Sequence, residues 1–179
     1  MLGFMFNRNL LDSYVGKNIK DICRCGFTSD RELHCAHFVS HVMGLKRDVL
    51  CGSAKGKAQQ GVSTSVQTVI NSVPWFRPYN PETDASLQGC LIFVAPIKNA
   101  DGKRIEKPRH VGFFDCGTVW HYENDSSQEK VISHELFPSM PGRRFADRYK
   151  SKHGECGLWV AGIPRGLCSD EKQVHGALS

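Results

Sequence analysis

The chain has 179 residues, the size of one ordinary domain with enough interior for a continuous apolar core. Hydrophobic residues make up 40% of it and charged residues 23%, a balance typical of globular proteins rather than disordered or fibrous ones. The net charge of +5 is spread without a run of like charges and without a basic helix, so no nucleic-acid partner is expected. We therefore predict a single domain over residues 1–179.

The N-terminus and the cysteines bear on the compartment. MLGFMF is apolar, but its basic residues follow the patch and no small-residue cleavage site closes it, so no signal peptide is predicted. No stretch reaches the roughly 18 apolar residues of a spanning helix, so membrane insertion is not expected. One nucleophile among eight cysteines leaves an odd number, which cannot all pair within the chain. The remainder are either buried thiols or partly a disulfide set, and the compartment stays open.

Helical spacing of apolar residues dominates the first half of the chain. It predicts one helix over Leu10–Ile22, interrupted near Gly16, and a stronger one in LHCAHFVSHVMG that ends at Gly44. A third helix is expected over Ser63–Ser72, before PWFRPYNP breaks the regularity.

Short runs rich in β-branched and aromatic residues fill the second half. CLIFVAP, HVGFF, TVWHY, KVISHELF and LWVAGIP are predicted strands, and DCG between two of them is short enough for a tight hairpin. Helices followed by antiparallel strands describe an α+β domain, with N-terminal helices packed on an antiparallel sheet.

A cysteine begins the strongest predicted helix. Cys35 shares an apolar face with Phe38, Val39 and Val42 at about 100° per residue. Unpaired backbone N–H groups and the helix dipole stabilise a thiolate at a helix start, so we expect the pKa of Cys35 to be lowered. Cys35 is therefore the candidate nucleophile, although a lone cysteine on an apolar helix face is more often a small buried hydrophobic residue.

Two histidines on the predicted hairpin supply the candidate base and its partner. His110 opens its strand directly after a polar loop, where we expect an exposed imidazole able to accept the thiol proton. His121 on the next strand is then its cross-strand neighbour and suited to orient it. Asn124, in the polar stretch YENDS, is the alternative third residue.

Taken together, these motifs resemble NlpC-type papain-like cysteine peptidases and the related CHAP amidases. HCAHFVSHVMG resembles the nucleophile helix of that family, LQGCLIFVAP its LxxGDLVFF strand, and HVGFFDCGTVWHYEN its HVGIYxGxGxxIH hairpin. Two departures stand out: Cys90 replaces the usual aspartate, and the hairpin is one residue shorter. The shorter turn makes the pairing of His121 with His110 depend on strand register, because a slip of one residue moves side chains to the other face of a sheet.

The resemblance implies a papain-like fold with Cys35 as nucleophile, His110 as base and His121 as third residue. It implies hydrolysis of amide bonds in peptidoglycan stem peptides without a cofactor or metal. The missing signal peptide and the compact size are also similar to amidase toxins that bacteria deliver through the type VI apparatus. That analogy implies export by a specialised system to act in the cell envelope, and an immunity protein as partner.

Three other functions compete with this interpretation. HCAHFV is similar to NCEHFV, the nucleophile motif of the lecithin retinol acyltransferase group, and this likeness favours lipid acyl transfer or thioester hydrolysis. The order of residues speaks against it, because in that group the histidine precedes the cysteine. His34, His37 and His41 form one helical stripe whose spacing permits a metal-binding module. The stripe lies about 110° from the Cys35 face, and a solvated polar face is the simpler interpretation. A non-catalytic binding domain is the last alternative.

Overall fold

The fold is that of a computed structural model, which describes residues 6–27, 33–52, 61–96, 107–124, 129–135 and 156–164. Four helices come first, then a short strand and a fifth helix, then the remaining strands. The helices are α1 (Arg8–Tyr14), α2 (Ile19–Ile22), α3 (Cys35–Met43), α4 (Val66–Ser72) and α5 (Pro81–Asp84). The strands are β1 (Phe76–Pro78), β2 (Cys90–Pro96), β3 (His110–Asp115), β4 (Thr118–Glu123), β5 (Lys130–Glu135) and β6 (Cys156–Ala161).

The described strands form one antiparallel sheet in the order β1-β6-β2-β3-β4-β5. Because β2 lies between β6 and β3, it is central and buried along almost its whole length, which explains its unbroken apolar run. The arrangement confirms the α+β class. No helix in the described ranges combines the length and apolar character that crossing a membrane requires.

Several predicted elements are confirmed. The interrupted N-terminal helix appears as α1 and α2, and α3 ends at Gly44, which has the left-handed φ of 66° that ends many helices. The DCG segment forms a tight hairpin in which Cys116 and Gly117 have φ of 44° and 81°. Two successive positive φ angles are those of a type I′ turn, whose twist matches that of the flanking strands.

The structure differs from the prediction around Pro74–Pro81. The helix predicted from Ser63 begins only at Val66, because the Ser65 side chain caps it by accepting from the Thr68 N–H. The segment after it, expected to be irregular, contains β1 and α5. Asn80 caps α5 and a proline occupies its first turn, a helix-start signal that the sequence carried. Two further segments fall largely outside the described residues. They are Gly52–Gly61, whose small and polar residues predict a loop, and the polar segment 97–109, which predicts a long connection between strands.

The sheet separates two apolar clusters. Side chains of α3 and α4 pack on one face, against a set that includes Phe93, Val111, Phe113, Trp120 and Tyr122. The other face carries Ile92, Val94, Phe114, Val119 and Val160. Because successive side chains of a strand alternate between faces, this division fixes which residues of β3 and β4 lie on the helix side.

The backbone of β4 closely approaches Gly112 on β3. A Cβ atom there would come within 2.7 Å of the Trp120 carbonyl oxygen and 3.0 Å of the His121 Cβ. We expect Gly112→Ala to lower the free energy of unfolding by about 1–3 kcal/mol, because a backbone carbonyl would have to move. Urea denaturation measures the loss. Ser133→Ala, an exposed position on neighbouring β5, serves as control, and equal stability of the two variants would contradict the close approach.

Candidate active site

Cys35 is the first residue of α3 and is completely buried. The sequence placed it at a helix start and on the apolar face, and both features are confirmed. The Phe38 N–H donates to the His34 carbonyl at 2.8 Å, so the first helical hydrogen bond closes around Cys35. Packing of α3 on the sheet therefore presents this thiol to β3.

Burial decides the protonation of Cys35. Removal from water raises the pKa of the thiol to about 11, although the backbone N–H groups of Val111, Ala36 and Cys35 itself lower it. The expected lowering at the helix start is therefore wrong in its net direction: the N–H groups act as predicted, but desolvation outweighs them. The resting side chain is a neutral thiol at neutral pH.

The contact with Val111 places the Cys35 sulphur near the end of the β3–β4 ladder that lies opposite the turn. The β3–β4 ladder runs from Asp115↔Thr118 to Phe113↔Trp120, and Val111 lies two residues beyond it. Its N–H acts on the Cys35 thiol, so the sulphur takes a position near the open end of the hairpin. His110 is the next residue along β3.

His110 and His121 form a hydrogen-bonded pair. The His110 Nε2 lies 2.9 Å from the His121 Nδ1, and the rings meet at 83° with their centres 4.9 Å apart. The short hairpin thus makes them cross-strand neighbours, as the sequence predicted. The expected exposure of His110 is wrong, since only 1% of it is accessible to solvent, and His121 is buried as well, with 5% accessible.

Both rings lie on the sheet face turned away from α3. His121 alternates with Trp120 and Tyr122, which belong to the helix-side cluster, and a Cβ at Gly112, on the same face as His110, would meet the His121 Cβ. The sulphur of Cys35 and the imidazole pair therefore approach the end of β3 from opposite faces.

A β-bulge stands at the start of β3. The Arg109 N–H donates to the Val94 carbonyl at 2.7 Å, although the strand register pairs Val94 with His110. Two residues thus face one across the sheet, an irregularity that often re-aims side chains beside functional sites.

Asn124 lies on the helix side of the site. Its Oδ1 accepts from the backbone N–H of His34 at 2.9 Å, immediately before Cys35. Its Nδ2 is buried and has no hydrogen-bond partner in the described part of the chain. Asn124 thus contacts the helix start, whereas His121 contacts His110; the sequence left the role of third residue open between Asn124 and His121.

The histidine stripe of α3 is largely buried, so its predicted solvated face is wrong. His34 is 2% exposed and His37 is fully buried, while His41 is half-buried. Burial lowers the pKa of His37 to about 3 and that of His41 to about 4, which keeps both rings neutral. The described cysteines are free thiols, and those near the stripe are Cys23, Cys25 and Cys51. Sequence spacing alone did not reveal that these thiols join the stripe.

Comparison of the chain with protein-family models, with curated proteins and with solved structures gives no match in any of the three.

The raised pKa and the burial of Cys35 predict low resting reactivity. At pH ~7.5, iodoacetamide should label exposed Cys116 well before Cys35. The Cys35 rate should rise about tenfold per pH unit up to pH ~10, because the thiolate fraction does so below a pKa of about 11. Peptide mass spectrometry measures both rates, with Cys116→Ser as control. Preferential labelling of Cys35 at pH ~6 would contradict the neutral, enclosed thiol.

Proposed function

We propose that the chain is a papain-like cysteine hydrolase that cleaves amide bonds, with Cys35 as nucleophile, His110 as general base and His121 as the residue that orients it. The observation that carries the proposal is the meeting of three features at one end of β3. These are a thiol at a helix start, a backbone N–H contact from Val111, and an imidazole pair beginning at the next residue.

The neutral thiol requires general-base catalysis. As the sulphur attacks the substrate carbonyl carbon, its proton passes to the Nδ1 of His110, since the Nε2 faces His121. The new imidazolium donates through Nε2 to the His121 Nδ1, which stabilises its charge. The same proton then goes to the leaving amine as the C–N bond breaks, and water hydrolyses the thioester.

The Cys35 sulphur and the imidazole pair lie on opposite faces of the sheet, and this separation sets a condition on the mechanism. Proton transfer requires a hydrogen-bonding distance between the two groups, directly or through one water. His110 is the first residue of β3, so one water at the strand end would carry the proton from the thiol to Nδ1 while Nε2 stays on His121 and the ladder from Phe113 onward is undisturbed. Substrate binding at this end would fix that water between the two groups.

Peptidoglycan stem peptides are the substrate class that the family resemblance favours. The net charge of +5 suits an anionic envelope polymer. An antibacterial role after export through a specialised secretion system, with an immunity protein that covers Cys35 in the producing cell, follows from the same resemblance.

Product analysis tests the proposal directly. Purified muropeptides incubated with the protein should yield fragments that mass spectrometry assigns to cleavage of one amide bond. A parallel incubation with phospholipid and an acyl acceptor tests the acyltransferase alternative suggested by HCAHFV. Lipid acyl transfer without muropeptide cleavage would replace the proposed function, and inactivity in both assays would favour a binding domain.

Four substitutions should separate the roles of the site residues. Cys35→Ala should abolish hydrolysis, and His110→Ala should lower kcat by about 10²–10⁴, because the nucleophile and the base are lost. His121→Ala should cost up to about 100-fold, since only the alignment of His110 is lost. Asn124→Ala should have the mildest effect, because Asn124 contacts the helix start rather than the base.

The control is Cys90→Ala, which removes a buried thiol from the other sheet face and should retain activity. Circular dichroism checks that all five variants fold. A larger loss in Asn124→Ala than in His121→Ala would transfer the orienting role to Asn124. Near-wild-type activity in both would leave a dyad of Cys35 and His110.

A further inference from the structure

A second group of thiol and imidazole side chains lies between α3, the end of α2 and the turn at Cys51. Cys23 follows α2, His37 and His41 lie four residues apart on α3, and Cys51 lies in the turn after it. One ligand atom from each of these four residues lies within 4.8 Å of every other. Three separate segments thus bring two thiols and two imidazoles to one point.

The separations within this group match the edges of a tetrahedron around zinc. Zn–S bonds of about 2.3 Å and Zn–N bonds of about 2.0–2.1 Å place two sulphurs about 3.8 Å apart and two nitrogens about 3.3 Å apart. The Cys23 and Cys51 sulphurs are 3.7 Å apart, and the His37 and His41 Nε2 atoms are 3.1 Å apart. A disulfide would need its sulphurs at about 2.05 Å.

We propose that Cys23, His37, His41 and Cys51 form a structural zinc site. Two thiolates and two neutral imidazoles are a donor set typical of structural zinc sites. The two thiolate charges balance the charge of Zn²⁺, and each thiol releases its proton to solvent on binding. Because the protein fills all four positions, the site holds structure rather than presenting an open coordination position to a substrate.

The surroundings of the four ligands suit a bound metal. The His37 Nδ1 lies 3.3 Å from the His34 Nδ1, so a His37 that coordinates through Nε2 donates its other N–H to a fixed partner, as metal-bound histidines commonly do. The Val62 N–H donates to the Cys51 sulphur at 3.3 Å, which stabilises a thiolate.

Gly61 allows the chain to close over this sulphur. Its φ is 96°, and a Cβ there would fall on the Cys51 Sγ. The same Cβ would lie 3.1 Å from the Cys25 Sγ, so Cys25 stands beside the group as a neighbouring thiol. Its position makes it the control that tests whether Cys23 is the ligand.

Metal analysis of the full chain tests the site without any activity assay. The untagged protein, purified with a phosphine reductant, should contain about one zinc per chain by plasma mass spectrometry. Cys51→Ser and His41→Gln should lose it, and Cys25→Ser and Cys90→Ser should keep it. His41 is half-buried, which makes His41→Gln the variant best suited to remain folded. Zinc loss in Cys25→Ser with retention in Cys23→Ser would overturn the assignment of Cys23.

Cobalt substitution gives a readout of geometry. Refolding with Co²⁺ alone should give the visible absorption of a tetrahedral ion and a thiolate-to-cobalt charge-transfer band, both absent from His41→Gln. Folded wild-type protein with less than about one tenth of a metal per chain and no cobalt spectrum would overturn the proposal. A mass two hydrogens lower, with Cys23 linked to Cys51, would also overturn it.

Discussion

The backbone N–H of Val111 acts on the sulphur of Cys35, and this contact ties the start of α3 to β3 just beyond the hairpin ladder. A buried N–H needs an acceptor, and the Cys35 side chain on α3 serves as one for Val111. The position of the thiol therefore depends on the hydrogen bonding of the sheet as well as on packing. The bulge at Arg109 and the close approach at Gly112 both lie at this end of β3, whereas the short turn at Cys116 closes the other end.

Two opposing effects act on the thiol, and their balance explains why the pKa expectation failed. Helix-start N–H groups favour the thiolate, but complete burial disfavours any charge, and it is the larger effect for Cys35. A sequence shows the helix start and the apolar face, yet it does not show how completely neighbouring strands cover the sulphur. In the proposed hydrolase, the enclosed neutral thiol of Cys35 can attack only if a base removes its proton during the attack.

Local signals were sufficient for much of the fold. Alternation and β-branched residues located β2, β3 and β4, and Gly44 marked the end of α3, because these features depend on neighbours in sequence. The contact of His121 with His110 also followed from the short turn. The sheet face on which this pair lies, and the association of His37 and His41 with Cys23 and Cys51, depend on how distant segments pack. A helical wheel therefore shows that the histidines of α3 share one face, but it does not show which distant residues cover that face.

The short helix α3 has nine residues, too few for stability on its own. Its apolar face packs on the sheet, and its histidine face meets α2 and the turn at Cys51. The two contacts hold the helix from different sides, and Cys35 begins it. Loss of a zinc ligand should therefore lower thermal stability and displace Cys35, reducing kcat and Tm together. If the proposed hydrolase mechanism holds, removal of His110 from the far face should reduce kcat with a much smaller change in Tm. The two variants would then distinguish a residue that positions Cys35 from one that takes part in the chemistry.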